Sequence, residues 1–148
     1  MVQVIYALQF KGWAKPVEGA KGLLRAATKS PSSIIRSEID AAGVTGAIEQ
    51  IAGSEARFES EVRFSGNGVF QETGAIHFGN AGSIRFSTVG EGRLGPSPEE
   101  GVQHGCVCWR VDSGEGQFEG ATGFITSKFT VDAAGAVTDN HFGVLWTK

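Results

Sequence analysis

Cysteine is nearly absent from this chain. Cys106 and Cys108 are the only two among 148 residues, and a two-residue spacing is a poor disulfide framework. On a strand they share a face with His104, but one Cys-x-Cys with one histidine does not define a metal site. The preferred reading is two small cysteines packed as hydrophobes, and no metal or cofactor is expected. Basic charge is scarce as well. Thirteen Lys and Arg face sixteen Asp and Glu, giving a net charge of −3 with no basic stripe, so no nucleic-acid partner is expected. No apolar run approaches ~18 residues, and no membrane span is expected. The opening "MVQVIYALQF" lacks a basic n-region and a small-residue cleavage site, which makes the cytoplasm the default expectation. No Gly-x-Ser-x-Gly elbow is present, and no glycine loop stands between a strand and a helix with a Lys-Ser/Thr ending.

Glycine and phenylalanine are what the chain has in quantity: 22 Gly and 10 Phe, against one Tyr and one Met. Many turns between aromatic-rich strands would use that mixture. Residues 2–10 alternate Val4, Tyr6, Leu8 and Phe10 against Gln3 and Gln9, as a half-buried strand does. In "EARFESEVRFS", Glu55, Arg57, Glu59, Glu61 and Arg63 share one face, with Ala56, Phe58, Val62 and Phe64 on the other. Strand-like segments then recur every 10–15 residues with turn signals between them. No internal repeat or low-complexity stretch appears. One domain over 1–148 is expected, an all-β antiparallel sandwich or closed barrel of about eight strands. Residues 17–53 alternate poorly. "SPSSIIRSEIDAAG" offers Ser30 as N-cap, Pro31 at the first helical position and Gly43 beyond the end, so a short helical or irregular insertion is expected after the first strand. "IIRSEID" reads equally as a strand.

The stretch "GEGQFEGATGFITSKF" concentrates Gly114, Gly116, Gly120 and Gly123 and runs into β-branched and aromatic residues. No helix N-terminus follows to hold a phosphate, so turns and a close strand crossing explain the glycines better. The stretch resembles the Gly-x-Gly-x-Phe-x-Gly-Ala-x-Gly corner of the allene oxide cyclase and dirigent-like barrels, at Gly114, Gly116, Phe118, Gly120, Ala121 and Gly123. That resemblance implies an eight-stranded antiparallel barrel of the calycin or allene oxide cyclase type. It also implies an apolar cavity and assembly into homo-oligomers, dimers or trimers. The family's catalytic residues do not carry over, because the segments that hold them do not align visibly here.

Alternation assigns faces. Tyr6 falls on the apolar side of its strand. Glu72 shares a face with Phe70, Ile76 and Phe78, where burial would tune a carboxyl as general acid or base. A strand end, or a bulge at Gly74, would turn it to water instead. Gln103 lies with Val107, Trp109 and Val111. On the last strand Phe142, Val144 and Trp146 mark a face that includes Asn140 and turns Asp139 and His141 away. His77, His104 and His141 all fall opposite the aromatic rows and read as surface residues. Two functional readings follow. In the first, the barrel binds a hydrophobic or aromatic small molecule in its lumen, and isomerises or cyclises it. Glu72 and Tyr6 are then the candidate catalytic groups, and Gln103, Asn140, Trp109, Phe70, Phe142 and Trp146 the ligand-binding set. In the second, the lumen is packed by the chain's own aromatics, the barrel does no chemistry, and an exposed strand face forms an oligomer interface.

Overall fold

A computed structural model describes residues 1–148. The chain forms eleven strands and no helix: β1 (Val2–Pro16), β2 (Leu23–Ser30), β3 (Ser33–Asp40), β4 (Gly43–Gln50), β5 (Ala56–Gly66), β6 (Val69–Phe78), β7 (Gly82–Thr88), β8 (Gly92–Pro96), β9 (Val102–Gly116), β10 (Thr122–Asp132) and β11 (Ala136–Thr147). Nine of them build one antiparallel sheet in the order β10-β11-β1-β2-β5-β6-β7-β9-β8, and the extra pairings β10–β9 and β6–β8 close it. β7 and β8 both lie between β6 and β9 and run the same way, so together they act as one interrupted stave. The result is an eight-staved barrel, which leaves few strand edges open.

The expected helical insertion is not there. Residues 33–50 instead form the β3–β4 hairpin, which pairs with no other strand. Ile34, Ile35, Ile39, Val44 and Ile48 are β-branched, and such side chains favour extended backbone. Asp40 Oδ1 accepts from the Ala42 N–H (2.8 Å) and sets the tight turn. Those local terms outweigh the Ser-Pro helix start.

Inward-facing residues fill much of the barrel. Phe10, Phe58, Phe70, Ile76, Ile84, Phe86, Trp109, Ile125 and Leu145 are all buried, each aromatic or aliphatic side chain contributing roughly 1.5–3 kcal/mol. Phe58, Phe86 and Trp109 stack on one another with centroids 4.3–5.5 Å apart.

The glycine-rich corner explains which end of the barrel is shut. After β9 the chain folds back over the rim through hydrogen bonds from Phe118 N to Glu115 O and from Ala121 N to Phe118 O. This buries Phe118 and Ala121. Phe118 packs on Phe78 (4.9 Å), which packs on Tyr6 (5.3 Å). Gly116 (φ 66°) makes the turn, and Gly123 (φ 137°) lies against the backbone of β11 where a side chain would collide. Both positions require glycine. The opposite end, where Leu24, Phe64, Leu94, Gln103 and Val131 meet, has no such plug.

Candidate functional site

β11 decides the character of the lumen. Its pairing with β1 sets Asp139 opposite Phe10, His141 opposite Leu8 and Gly143 opposite Tyr6. Directly opposed residues share a face. Because Tyr6, Leu8 and Phe10 point inward, Asp139 and His141 point inward too, and both are buried. This corrects the alternation reading. Asn140 lies outside, where Gln9 Nε2 donates to its Oδ1 (3.0 Å), and Phe142 and Trp146 are exposed on the outer wall. A strand with its polar residues inside and its aromatics outside reverses the hydrophobic phase from which faces are read. His141 is therefore not a surface residue, although His77 is half-exposed and His104 is exposed. Cys106 is exposed rather than packed, and Cys108 is half-buried on the same outer face.

Glu72 takes the inward alternative, and its side chain is buried. Ser60 Oγ donates to Glu72 Oε2 (2.6 Å) from β5. The Trp109 indole N–H faces the carboxyl, outside hydrogen-bond geometry, and lowers its pKa slightly. Desolvation dominates, and with the negative charge of Asp139 nearby it raises the Glu72 pKa to about 8. Gly74, a position where a bulge was conceivable, is regularly paired with Ser60 and Phe86. It is glycine because the Phe86 ring and the Ser60 backbone occupy the space of a side chain.

Across the barrel, Ser127 Oγ donates to Asp139 Oδ1 (2.6 Å) and His141 Nε2 lies 2.8 Å from Asp139 Oδ2. His141 is packed between Phe10 (4.3 Å), Trp109 (5.0 Å) and Phe58 (5.3 Å). With Nε2–H donated to Asp139, Nδ1 is the free ring nitrogen, and it has no partner within the protein. The Tyr6 hydroxyl is also buried without a partner. Burial, reinforced by Asp139, pushes its pKa far up and keeps it neutral.

The two carboxyl groups sit on one design. Each belongs to a hairpin in which a serine on the first strand precedes it by 12 residues and donates to it. Each hairpin turns at a glycine of positive φ, Gly68 or Gly135, eight residues past the serine. In the closed strand order the β5–β6 and β10–β11 hairpins stand on opposite sides of the barrel, so Glu72 and Asp139 approach from facing walls. Sequence identity between the hairpins is slight, and the repeated layout emerges only from the pairing.

Both groups line a cavity of about 110 Å³ that opens at the unplugged end. Its walls are Leu24, Ala26, Val62, Phe64, Phe70 and Phe129, with Thr28, Ser127, Glu72 and Asp139 as the buried polar residues. Phe70 belongs to this wall, and Gln103 stands exposed at the mouth. Trp109 lies beneath, against His141, and Tyr6 lies toward the plugged end; neither lines the cavity. Asp139, His141, Ser60 and Ser127 were missed by sequence reasoning. The signal that would have found them is the phase of β1, carried across to β11 by strand pairing.

No group of three or more metal-ligating side chains occurs in the structure. No family model matches the chain, and neither a curated protein nor a solved structure gives a match.

Proposed function

We propose that this barrel, of the allene oxide cyclase- and dirigent-like kind its glycine-rich corner resembles, binds a small apolar molecule at its open end and moves a proton on it. The observation that carries this reading is the pair of facing carboxyl groups at the base of an apolar cavity, held in different environments. Glu72, with a pKa near 8, is a neutral acid at pH 7 and can donate a hydrogen bond or a proton. Asp139, bonded to Ser127 and His141, is the complementary base. Titratable groups whose surroundings push them apart are how one site performs acid and base chemistry together.

Size narrows the ligand. The cavity volume is of the order of the roughly 150 Å³ that holds a single benzene ring. One small ring or short chain fits inside, with any longer part extending past Gln103. A carbonyl compound suits the polar pair: Glu72 would hydrogen-bond the oxygen while Asp139 takes a proton from the adjacent carbon. Return of that proton at another carbon completes an isomerisation with no other reagent.

The test begins with native mass spectrometry of freshly purified protein, to catch a co-purifying apolar ligand. Small cyclic and aryl ketones are then incubated with the protein in D2O, and deuterium uptake at the α-carbon is followed by NMR. Wild-type protein should accelerate exchange. Asp139→Asn should abolish it, and Glu72→Gln should slow it by about 10²–10⁴-fold. Exchange that survives unchanged in both folded variants removes the pair from any proton transfer.

A further inference from the structure

No segment of the sequence is basic, yet the closed sheet assembles a row of basic side chains on its outer wall. Pairing sets Lys11 opposite Lys29, Lys29 opposite Arg57, and Arg57 opposite His77. All four point outward, because their neighbours Phe10, Thr28, Phe58 and Ile76 are buried inside. Four adjacent staves, β1, β2, β5 and β6, therefore carry the row in one line. At the usual strand spacing, the stretch from Lys11 to Arg57 is about 10 Å long.

Like charges directly opposed across a sheet are destabilising, and the protein does little to relieve this row. Lys29 Nζ lies 3.9 Å from Glu55, in a pair more than half exposed, and such pairs are worth little. Glu59 is turned to His77 (3.6 Å). Lys11 and Arg57 form no ion pair at all, although Glu55 and Glu59 stand two residues to either side of Arg57.

Beside the row the wall is hollow. In the next cross-strand row Trp13 faces Ala27, and Ala27 faces Glu59. The short Ala27 side chain leaves a groove of about 360 Å³ between its larger neighbours, bordered by the basic row. We propose that this groove binds an oligophosphate, either free or as the phosphate chain of a nucleotide, with Lys11, Lys29 and Arg57 each meeting phosphate oxygens. The match lies in the spacing of charge. Three cations in a line of about 10 Å suit an anion that carries several charges in a chain, whereas a single phosphate reaches only some of them. Trp13 is partly exposed at one end of the groove and offers a nucleotide ring a surface to lie on. A nucleic-acid strand fits less well, because the cation track is short. Beyond His77 the row passes to Ser83, and beyond Lys11 to Thr138 and Thr130, with no further positive charge for a longer backbone.

Isothermal titration calorimetry of the full chain at about 20 mM salt tests this. Tripolyphosphate should bind saturably at a single site, more tightly than pyrophosphate or orthophosphate, and should weaken at least about tenfold at about 200 mM salt. Lys29→Gln and Arg57→Gln should each weaken it about tenfold, whereas Lys128→Gln on β10 should leave it unchanged. These side chains are exposed, so folding should survive. Tripolyphosphate should also raise the urea midpoint of the wild type and leave that of the Lys29→Gln, Arg57→Gln double variant where it was. ATP separates the two sources: tighter binding than tripolyphosphate marks a nucleotide, and no tighter binding marks a free oligophosphate. The proposal is overturned if neither tripolyphosphate nor ATP binds saturably below about 1 mM. Binding that the double variant retains in full also overturns it, as does a short single-stranded oligonucleotide that displaces tripolyphosphate at lower concentration.

Discussion

The two serine–carboxylate hairpins differ most usefully at one position. In β5–β6 the residue paired with the serine is Gly74, and in β10–β11 it is His141. Gly74 leaves room for the Phe86 ring to close over the strand, so Glu72 has an apolar neighbour, one hydroxyl and a raised pKa. His141 gives Asp139 a second hydrogen bond on its other oxygen. A single residue two places beyond each carboxyl thus gives the two groups different surroundings on otherwise matching scaffolds, one hydroxyl for Glu72 and a hydroxyl with an imidazole for Asp139. Local strand geometry places the groups; the facing residue sets their chemistry.

The strongest way to break the comparison is to remove the histidine. His141→Ala should cost about 3–5 kcal/mol in urea unfolding, because it leaves a cavity among Phe10, Phe58 and Trp109 and a buried Asp139 with half its partners. Asp139→Asn combined with His141→Ala should recover part of that loss; full additivity would mean the two are not coupled.

Glu72→Gln should act in the opposite direction, and only at higher pH. The folded state holds the Glu72 proton up to about pH 8, whereas the unfolded chain loses it near 4.5. Folding therefore takes up a proton across that window. Wild-type stability is greatest below the unfolded value and falls as pH rises toward 8, by at most about 1.4 kcal/mol per unit. Gln cannot ionise, so the variant should overtake the wild type by about 4 kcal/mol at pH 8 and show little gain at pH 4.5. Parallel stability profiles for the two proteins from pH 4.5 to 8 would contradict the raised pKa.

Gly74→Ala makes the first hairpin slightly more like the second. The new methyl meets Phe86 and the Ser60 backbone, and a loss of about 1–3 kcal/mol is expected, with Ser60 displaced from Glu72 and the pH profile altered. Smallest of all is Tyr6→Phe. Its hydroxyl has no partner to lose, so stability should change by less than about 1 kcal/mol, on the stabilising side. A larger loss would show that the hydroxyl is bonded after all.

Much of this barrel is legible from short-range pattern. The alternation of β1 and β5, the inward placing of Phe70, Glu72 and Trp109, and the turn-forming role of Gly116 all follow from side-chain period and backbone sterics, which act within a few residues. A strand at "IIRSEID" stood as one of two readings, since Ser-Pro start signals and β-branched isoleucines compete over the same segment; its hairpin partner, Gly43–Gln50, was not legible. β11 was beyond such reasoning. "VTDNHFGVLW" gives a clean alternation, but the apolar half of it faces water.

The pattern of the sequence placed seven strands of an all-β chain, β1, β5, β6, β7, β9, β10 and β11, and the residues of β1, β5, β6 and β9 that face inward; β2, a full stave of the barrel, and β8 lay outside its reach. Only the closed sheet decided the phase of β11. A strand's facing is fixed by the neighbour it bonds to, and Phe10, Leu8 and Tyr6 are more than a hundred residues away from Asp139, His141 and Gly143. That one long-range register put an aspartate and a histidine in the lumen opposite Glu72. It also put Phe142 and Trp146 on the outer wall, so the same register that built the candidate site turned the aromatics of β11 to water.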